Sequence, residues 1–429
     1  MHAGSIVVRP PRTVAGTLRL PGDKSISHRY GMLAGIADGT TRLENFSTGA
    51  DCASTLACLK TLGVQWERSQ NSVTIHGRGP ELLTPSAALD CGNSGSTMRM
   101  LSGILAGQEF SSELIGDESL TRRPMARIIA PLEAMGAKIT ARDGGRPPLR
   151  ITGGHLRPID YKMPVASAQV KSSLLFAGLF AAGQTRVSEP VRTRDHGELA
   201  LRAFGAEIKQ EGRDVFIRGG QKLHAIEATI PGDLSSAAFF ICAAALFPDS
   251  QLIITGLGMN PTRSALLDLL GGMGMHISVA QLEERNGELI GTLEVRGAEL
   301  KGATIRSPQT EMLIDEIPVL AAIAPYTTDG IDIRDARELR VKESDRIAAV
   351  ATNLGAMGVE VEERDDGLRI PGRQELHGAE IDSFGDHRIA MAFAVAALRA
   401  HGETTIHGAD AAVISYPEFF TDLESAMQR

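Results

Sequence analysis

The stretch LPGDKSISHRYGMLAGIADG, residues 20–39, contains the pattern from which the fold can be predicted. A Pro-Gly-Asp turn precedes small polar residues, and these lead into a helix-length run of Ile, Met, Leu, Ala and Gly. Segments with the same order recur at intervals of roughly 65 to 85 residues. They begin near Lys24, Asn93, Ser167, Asp233, Asp315 and Asp386. The recurrence predicts one supersecondary unit per segment, six in all.

Each unit also contains a second amphipathic helix, which a glycine ends before a strand of alternating polarity begins. These glycines are Gly63, Gly136, Gly205, Gly274 and Gly358. The sixth unit should end in a helix at about residues 416–427. The sequence therefore predicts an α/β fold built from repeated units.

The tripeptide Pro-Gly-Asp occurs at residues 21–23 and again at residues 231–233, each time between a short apolar strand and a helix. Taken singly, each copy is ordinary turn chemistry. With the six repeats, the pair predicts two chain crossovers. Residues 1–21 and 231–429 then form one discontinuous domain, residues 22–230 form the other, and each domain has three repeats.

Composition supports a large globular protein, because 429 residues with 43% hydrophobic and 22% charged content suffice for about two domains. No apolar run approaches the roughly 20 residues of a membrane span, and the first 16 residues do not resemble a signal peptide. We therefore expect a cytoplasmic location. The net charge of -8 argues against nucleic acid as a partner.

The four cysteines predict neither a disulfide framework nor a zinc site, because no CxxC spacing is present. We expect Cys52, Cys58, Cys91 and Cys242 to be reduced thiols.

The polar starts of the repeats have two interpretations. Ser, Asn and Asp are ordinary helix N-caps, but several N-termini that converge also form an anion site. Cations cluster at the same segment starts, where a solvated surface would interleave Glu with them; they are Lys24, Arg29, Arg123, Arg194, Lys342, Arg346 and Arg388. Lys342 and Arg346 are four residues apart and should share one helical face. The set favours binding of phosphates or carboxylates over a surface role.

Five segments together resemble the EPSP synthase (3-phosphoshikimate 1-carboxyvinyltransferase) family, in the branch called class II. They are LPGDKSISHR, DCGNSGSTMR, SLTRRPM, RVKESDR and GDHRIAM, which begin at residues 20, 90, 119, 340 and 385. The resemblance implies an enolpyruvyl transferase-like fold in which each of two domains has three βαβαββ repeats and the active site lies in the cleft between them. It implies transfer of the enolpyruvyl group of phosphoenolpyruvate to the 5-hydroxyl of shikimate 3-phosphate, without metal or cofactor.

The resemblance also implies the binding residues. Shikimate 3-phosphate would contact Lys24, Ser25, Arg29, Ser167, Ala168, Gln169, Arg194, Asp315 and Lys342. Phosphoenolpyruvate would contact Lys24, Asn93, Gly95, Arg123, Gln169, Arg346, His387 and Arg388. Arginine predominates among the residues for phosphoenolpyruvate, the donor of the enolpyruvyl group, because its planar guanidinium binds carboxylate and phosphate in a bidentate manner.

The reaction needs two proton carriers, and the resemblance implies Asp315 for the acceptor hydroxyl, Glu343 for C3 of phosphoenolpyruvate, and Lys24 to stabilise charge. Without the resemblance, Asp315 in LIDEIP would be interpreted as a helix N-cap. Its neighbour Glu316 is the weaker candidate for the base.

Some positions depart from patterns in the family. Glu338, Ile414 and Ala168 stand where some relatives carry Asn, Lys and Ser, which affects contact details and not the reaction. Resistant relatives often carry Ala where this chain has Gly95, so we expect the herbicide glyphosate to inhibit this chain.

Two alternative functions were weighed. The sister transferase that acts on UDP-N-acetylglucosamine uses a loop cysteine as proton donor, but residues 116–125 contain none, and Cys91 precedes a helix start. A non-catalytic repeat protein that binds phosphorylated ligands would not need Asp315 or Glu343. We further expect a monomer whose domains close when the acceptor binds.

Overall fold

The computed structural model describes residues 4–429, in which the chain forms two compact units. The central unit comprises Gly22–Ile230 and the short stretch Glu284–Glu288. The terminal unit comprises the described residues up to Pro21, with Pro231–Glu283 and Leu289–Arg429. Each unit has its own core of buried aliphatic and aromatic side chains.

Helices and short strands alternate along the whole described chain. The α-helices are α1 Lys24–Gly35, α2 Ala50–Thr61, α3 Gly95–Ala106, α4 Glu118–Arg122, α5 Ala126–Met135, α6 Ala168–Gly178, α7 His196–Ala203, α8 Leu234–Ala245, α9 Ala265–Gly272, α10 Gln309–Leu313, α11 Ile317–Ile323, α12 Arg346–Ala356, α13 His387–Ala397 and α14 Phe419–Ala426. Short 3₁₀ helices span Ala324–Tyr326, Arg337–Val341 and Ala409–Ile414.

The strands are mostly three to seven residues long. They are β1 Ile6–Val8, β2 Thr13–Leu18, β3 Thr40–Glu44, β4 Gln65–Ser69, β5 Ser72–His76, β6 Leu89–Asp90, β7 Ser111–Ile115, β8 Lys138–Arg142, β9 Arg146–Thr152, β10 Asp160–Lys162, β11 Gln184–Ser188, β12 Ile208–Glu211, β13 Asp214–Arg218, β14 Glu227–Thr229, β15 Gln251–Gly258, β16 His276–Arg285, β17 Glu288–Arg296, β18 Ala303–Ile305, β19 Ile331–Ile333, β20 Glu362–Arg364, β21 Gly367–Ile370, β22 Glu380–Asp382, β23 Thr404–His407 and β24 Met427–Gln428.

One sheet topology recurs in both units. The central unit has sheets of order β14-β3-β5-β4, β6-β7-β9-β8 and β10-β11-β13-β12, and the terminal unit repeats this order in β18-β19-β21-β20. In each of these sheets the first two strands are parallel and the later pairings are antiparallel. The remaining sheets of the terminal unit have the orders β1-β23-β22 and β16-β17-β15-β2-β24. The predicted fold class, with βαβαββ repeats, is confirmed.

The two strands that precede α1 and α8 are exchanged between sheets. Strand β2 comes just before α1 but pairs in parallel with β15, whereas β14 comes just before α8 but pairs in parallel with β3. The chain passes from one unit to the other at Pro21 and again at Pro231, directly after these strands. Each of these two sheets therefore obtains a parallel strand from a distant part of the sequence.

The first helix of a repeat lies inside its unit, because it is apolar on all sides. Every residue of α8 and of α13 is buried, which matches their Ala- and Phe-rich sequences. The predicted glycine exits are also confirmed, since Gly63, Gly136, Gly205, Gly274 and Gly358 all have positive φ angles. A side chain would be strained there, so glycine ends these helices.

The four cysteines are buried free thiols, as predicted. None of the helices in residues 4–429 combines the length and the apolar composition that a membrane-spanning segment requires.

Candidate active site

Helix α1 begins at the first predicted cation, Lys24. The Asp23 carboxylate caps the helix by accepting a hydrogen bond from the backbone N–H of Ile26 at 2.9 Å. The Lys24 Nζ atom lies 2.8 Å from Asp51 Oδ2, and the two side chains are 17% and 8% exposed. Asp51 therefore holds the ammonium at the helix start, in a partly desolvated position where its charge is weakly screened.

Arg29 joins α1 to α6, although the two helices are far apart in sequence. Its guanidinium donates to the Ser25 carbonyl at 2.8 Å, to Ser172 Oγ at 3.1 Å and to the Ala168 carbonyl at 3.4 Å. Ser167 caps α6 by accepting a hydrogen bond from the Val170 N–H at 3.3 Å. The structure thus brings Ser25, Arg29, Ser167 and Ala168 together, as the resemblance implies for an acceptor site.

Asn93 and Arg123 form a second cluster at the start of α3. Arg123 donates to the Asn93 side-chain oxygen at 2.7 Å and to the Asn93 carbonyl at 3.2 Å. The amide nitrogen of Asn93 donates to Asp117 at 2.7 Å, so both ends of the amide are engaged. Arg123 lies between α4 and α5 and is buried. The guanidinium is therefore fixed next to the N-terminus of α3, where the helix dipole favours anions.

Gln169 is held by Arg99, a residue that the sequence analysis did not select. Arg99 donates to Gln169 Oε1 at 2.7 Å, and Gln169 Nε2 donates to Ser96 Oγ at 2.8 Å. The signal was present in the sequence, because Arg99 lies in the DCGNSGSTMR segment, four residues after Gly95 and thus on the same helical face. Arg99 therefore adds a cation beside Gln169, one of the residues that the resemblance implies for phosphoenolpyruvate.

Arg194 lies in the loop between β11 and α7 and is half-buried. Its neighbour Arg192 pairs with Asp195 at 3.1 Å, and α7 begins at the next residue, His196. Arg194 therefore belongs to the central unit, together with Lys24 and Arg29.

In the terminal unit, two cations converge on Asp315. Lys342 Nζ lies 3.7 Å from Asp315 Oδ1, Arg346 Nη1 lies 3.8 Å from the same oxygen, and the Asp315 side chain is 20% exposed. The prediction that Lys342 and Arg346 share a helical face is wrong, because Lys342 follows a 3₁₀ helix and α12 begins only at Arg346. Asp345 caps α12 through the Ala348 N–H at 3.0 Å and so fixes that start.

Arg346 is the most enclosed cation of this group. It donates to Asp386 at 2.8 and 3.2 Å and to Glu343 Oε2 at 2.6 Å. Burial by itself lowers the pKa of Arg346, but the carboxylates of Asp386 and Glu343 outweigh burial and raise it above its usual range. Arg346 therefore remains charged, and its guanidinium forms ion pairs with the carboxylates of Glu343 and Asp315.

Arg388 connects the start of α13 to Asp315. Its Nη1 donates to the Asp315 carbonyl at 2.6 Å and lies 4.0 Å from Glu316 Oε1. The N-cap interpretation of Asp315 is wrong, because α11 begins at Ile317 and Glu316 occupies the cap position. His387, the first residue of α13, is buried beside Asp386 with 4.0 Å between Nδ1 and Oδ1. The Asp315 side chain therefore faces the cations Lys342 and Arg346 and does not cap α11.

The predicted residues therefore form two sets. The central unit carries Lys24, Ser25, Arg29, Asn93, Gly95, Arg123, Ser167, Ala168, Gln169 and Arg194, and the terminal unit carries Asp315, Lys342, Glu343, Arg346, His387 and Arg388. Within residues 4–429, no three His, Cys, Asp or Glu side chains form a group that could hold a metal ion.

Cys91 does not resemble a proton donor in a loop. Its side chain is fully buried, as predicted. A hydrogen bond with Cys58, together with burial, raises the pKa of the Cys91 thiol well above its ordinary value. The thiol is therefore a packed group of the interior.

Comparison with known proteins gives independent evidence for the protein family. The model of the EPSP synthase (3-phosphoshikimate 1-carboxyvinyltransferase) family matches residues 8–423. A 3-phosphoshikimate 1-carboxyvinyltransferase from Koribacter versatilis is 59% identical over 99% of this chain and 100% of its own length. One from Solibacter usitatus is 56% identical over 97% of this chain and 98% of its own length.

A solved structure agrees with the sequence relatives. The EPSP synthase from Acinetobacter baumannii superposes with a TM-score of 0.87 at 42% identity, covering 99% of this chain and 98% of that one. Both the sequence and the fold therefore match over nearly their full length. The chain belongs to the EPSP synthase family.

Proposed function

We propose that the two sets of residues transfer the enolpyruvyl group of phosphoenolpyruvate to the 5-hydroxyl of shikimate 3-phosphate, with release of phosphate. The observation that carries the proposal is the carboxylate of Asp315, which is partly exposed and lies 3.7 Å from Lys342 and 3.8 Å from Arg346. Glu343, bound to Arg346 at 2.6 Å, supplies a second carboxyl group beside the same guanidinium. Paired proton carriers among cations suit a reaction between two phosphorylated molecules.

We assign binding of the acceptor to two groups of residues, one that includes Arg29 and one that includes Asp315. They are Lys24, Ser25, Arg29, Ser167, Ala168, Gln169, Arg194, Asp315 and Lys342. Contacts among Arg29, Ser25 and Ala168 support this assignment, because they hold one guanidinium at the starts of α1 and α6. Helix N-termini and guanidinium groups both stabilise phosphate.

The donor is assigned to residues around the starts of α3, α12 and α13. They are Lys24, Asn93, Gly95, Arg123, Gln169, Arg346, His387 and Arg388. Arg99 joins them through its 2.7 Å bond to Gln169. Phosphoenolpyruvate carries a phosphate and a carboxylate, so several guanidinium groups are needed to offset its charge.

The chemical steps follow from the assigned carboxyl groups. Asp315 accepts the proton of the acceptor 5-hydroxyl, and the oxygen adds to C2 of phosphoenolpyruvate while Glu343 protonates C3. The product is a tetrahedral intermediate with a methyl group. The Glu343 carboxylate then removes a methyl proton, the bond between C2 and the phosphate oxygen breaks, and phosphate leaves with the proton held by Asp315, which restores both carboxyl groups. Each positioned acid or base contributes about 10²- to 10⁴-fold to such a rate.

Lys24 is assigned to charge stabilisation at the reacting centre. Its ammonium is paired with Asp51 at 2.8 Å. A second anion can share this ammonium, since Lys carries three N–H donors. Electrostatic stabilisation of this kind is strongest where water is excluded.

The experiment that tests the function measures phosphate release from phosphoenolpyruvate with two acceptors. We expect turnover with shikimate 3-phosphate and none above background with UDP-N-acetylglucosamine, because the buried Cys91 is no substitute for a loop cysteine. Turnover with only the nucleotide sugar would contradict the proposal.

Several further assignments remain predictions. They are the division into functional domains at residues 21 and 230, catalysis without a metal or cofactor, a monomeric state and a cytoplasmic location.

A further inference from the structure

A buried ionic cluster in the central unit has no part in the steps above. Lys171 lies on α6, Glu189 directly follows β11, and Glu198 lies on α7. The Lys171 ammonium is 2.9 Å from Glu189 Oε2 and 2.6 Å from Glu198 Oε1, and all three side chains are 0% exposed. The cluster therefore joins three separate chain segments in the interior.

Burying three charged side chains in a core has a large desolvation cost. One cation faces two carboxylates, and desolvation of buried charges can exceed the Coulombic gain. Burial raises the pKa of Glu198 in spite of the neighbouring Lys171. Apolar side chains would pack these segments at a lower cost, so the cluster calls for an explanation other than stability.

Glu189 extends the cluster into the loop that carries Arg194. While Oε2 binds Lys171, Oε1 accepts hydrogen bonds from the backbone N–H of Thr193 at 3.2 Å and from the Thr193 hydroxyl. The carboxylate thus closes the turn from residue 189 to residue 193. Arg194 is the next residue, so the direction in which its backbone leaves this turn is set by Glu189.

Glu198 fixes the other end of the same loop. It follows Gly197, where an added Cβ atom would lie 2.6 Å from Ser172 Oγ and 3.6 Å from Arg29 Nε. The first turn of α7 therefore packs directly on Ser172 and Arg29, and the bond between Glu198 and Lys171 holds it there. Both ends of the segment 189–198 are anchored to one ammonium.

We infer that Lys171, through Glu189 and Glu198, positions Arg194 so that its guanidinium binds the phosphate of the acceptor. The inference rests on the proposed function and assigns Lys171, Glu189, Glu198 and Thr193 as positioning residues. Their effect should be specific to the acceptor phosphate, because Asn93 and Arg123, which are assigned to the donor, are held by their own hydrogen bonds at the start of α3.

The test uses Thr193, because Lys171→Met would leave two buried carboxylates without a cation and could unfold the unit. Thr193→Val removes the hydroxyl that donates to Glu189 and keeps the volume, whereas Thr193→Ser retains the hydroxyl. Calorimetry with shikimate 3-phosphate should give a Kd about tenfold higher for Thr193→Val, the size expected for one hydrogen bond to a charged group. Thr193→Ser should match the wild type.

Two further measurements separate positioning from a general structural effect. The Kd of shikimate, which lacks the phosphate, and the KM of phosphoenolpyruvate should be unchanged in Thr193→Val. The double variant Thr193→Val/Arg194→Ala should bind shikimate 3-phosphate no more weakly than Arg194→Ala, since the hydroxyl acts through Arg194.

Additive losses in the double variant, or an equal loss of shikimate binding, would overturn the inference. If the Kd is unchanged in Thr193→Val and the wild type turns over normally, the inference is overturned and the proposed function stands. A wild type that releases no phosphate with shikimate 3-phosphate would instead overturn the proposed function.

Discussion

Arg346 and Asp386 form a bidentate ion pair in the interior, with Nε 2.8 Å from Oδ2 and Nη2 3.2 Å from Oδ1. The two side chains are 1% and 0% exposed. Asp386 Oδ1 also accepts from the backbone N–H of Arg388 at 2.9 Å, so one carboxylate orients the starts of α12 and α13. Asp386 therefore holds the Arg346 guanidinium and the backbone of Arg388, both assigned to the donor, which lowers the cost of ordering them.

Replacing Asp386 with Asn should destabilise the protein by about 3 kcal/mol, because it removes the charge that compensates the buried Arg346. The change keeps the shape of the side chain. Chemical denaturation of wild type and Asp386→Asn measures the difference. The matched control is Asp365→Asn, an exposed carboxylate of the same unit, which should be within about 0.5 kcal/mol of wild type. Equal losses in both variants would contradict the role of the pair.

The stabilisation by Asp386 should depend on pH in a defined direction. Burial by itself raises the pKa of Asp386, but the charge of Arg346 outweighs burial and holds the pKa below its ordinary value. A carboxyl group whose pKa is depressed in the folded state stabilises the fold fully at a pH above its unfolded pKa. This stabilisation is lost as the pH falls through the pKa of the folded state. The stability difference between wild type and Asp386→Asn should thus be constant from about pH 7 to 5 and shrink below about pH 4. A difference that grows on acidification would contradict this account.

The substitution Gly95→Ala should weaken the binding of both phosphoenolpyruvate and glyphosate. The added Cβ atom would lie 2.7 Å from Nη1 of Arg99 and 3.5 Å from Nη1 of Arg123. Since the end of the Arg99 side chain is flexible, it should shift and give up its bond to Gln169. We expect a KM for phosphoenolpyruvate that is raised about tenfold, the size of one charge-assisted hydrogen bond, with a higher inhibition constant for glyphosate.

The control for this methyl group is Gly355→Ala in α12, where the added Cβ atom meets no heavy atom within 4 Å. Its kinetic constants should equal those of the wild type. Equal glyphosate inhibition constants for wild type and Gly95→Ala would reject the expected crowding.

The addition and elimination steps predict isotope exchange with solvent. Because C3 of phosphoenolpyruvate gains a proton and the resulting methyl group loses one, product formed in D₂O should carry deuterium on its vinyl carbon. Mass spectrometry of the product measures this. Because the methyl group rotates and mixes its three hydrogens, a product without deuterium would contradict protonation of C3 and the role assigned to Glu343.

The repeats and helix starts could be predicted because they depend on local chemistry. Small polar caps and glycines at positive φ act within one turn of the chain, so Gly63 or Gly358 is recognisable from its neighbours. The Pro-Gly-Asp pair predicted the two crossovers, but the pairing partners of β2 and β14 could not be predicted in the same way, since strand pairing links residues more than 180 positions apart.

The site shows the same limit. Spacing alone placed Lys342 and Arg346 on one helix, but the side chain of Asp345 caps α12 and delays its start to Arg346. Both cations nevertheless reach Asp315, because the chain between them turns. Arg99 and Lys171 were missed, since their partners lie on other elements and only tertiary packing joins them.

The most direct test of the account concerns the two carboxyl groups assigned to proton transfer. Phosphate release should be measured in the double variant Asp315→Asn/Glu343→Gln at saturating concentrations of both substrates, with circular dichroism as a check on folding. We predict a rate at least about 10⁴-fold below wild type, since two acid–base contributions are lost. A folded double variant that releases phosphate at the wild-type rate would contradict the central claim.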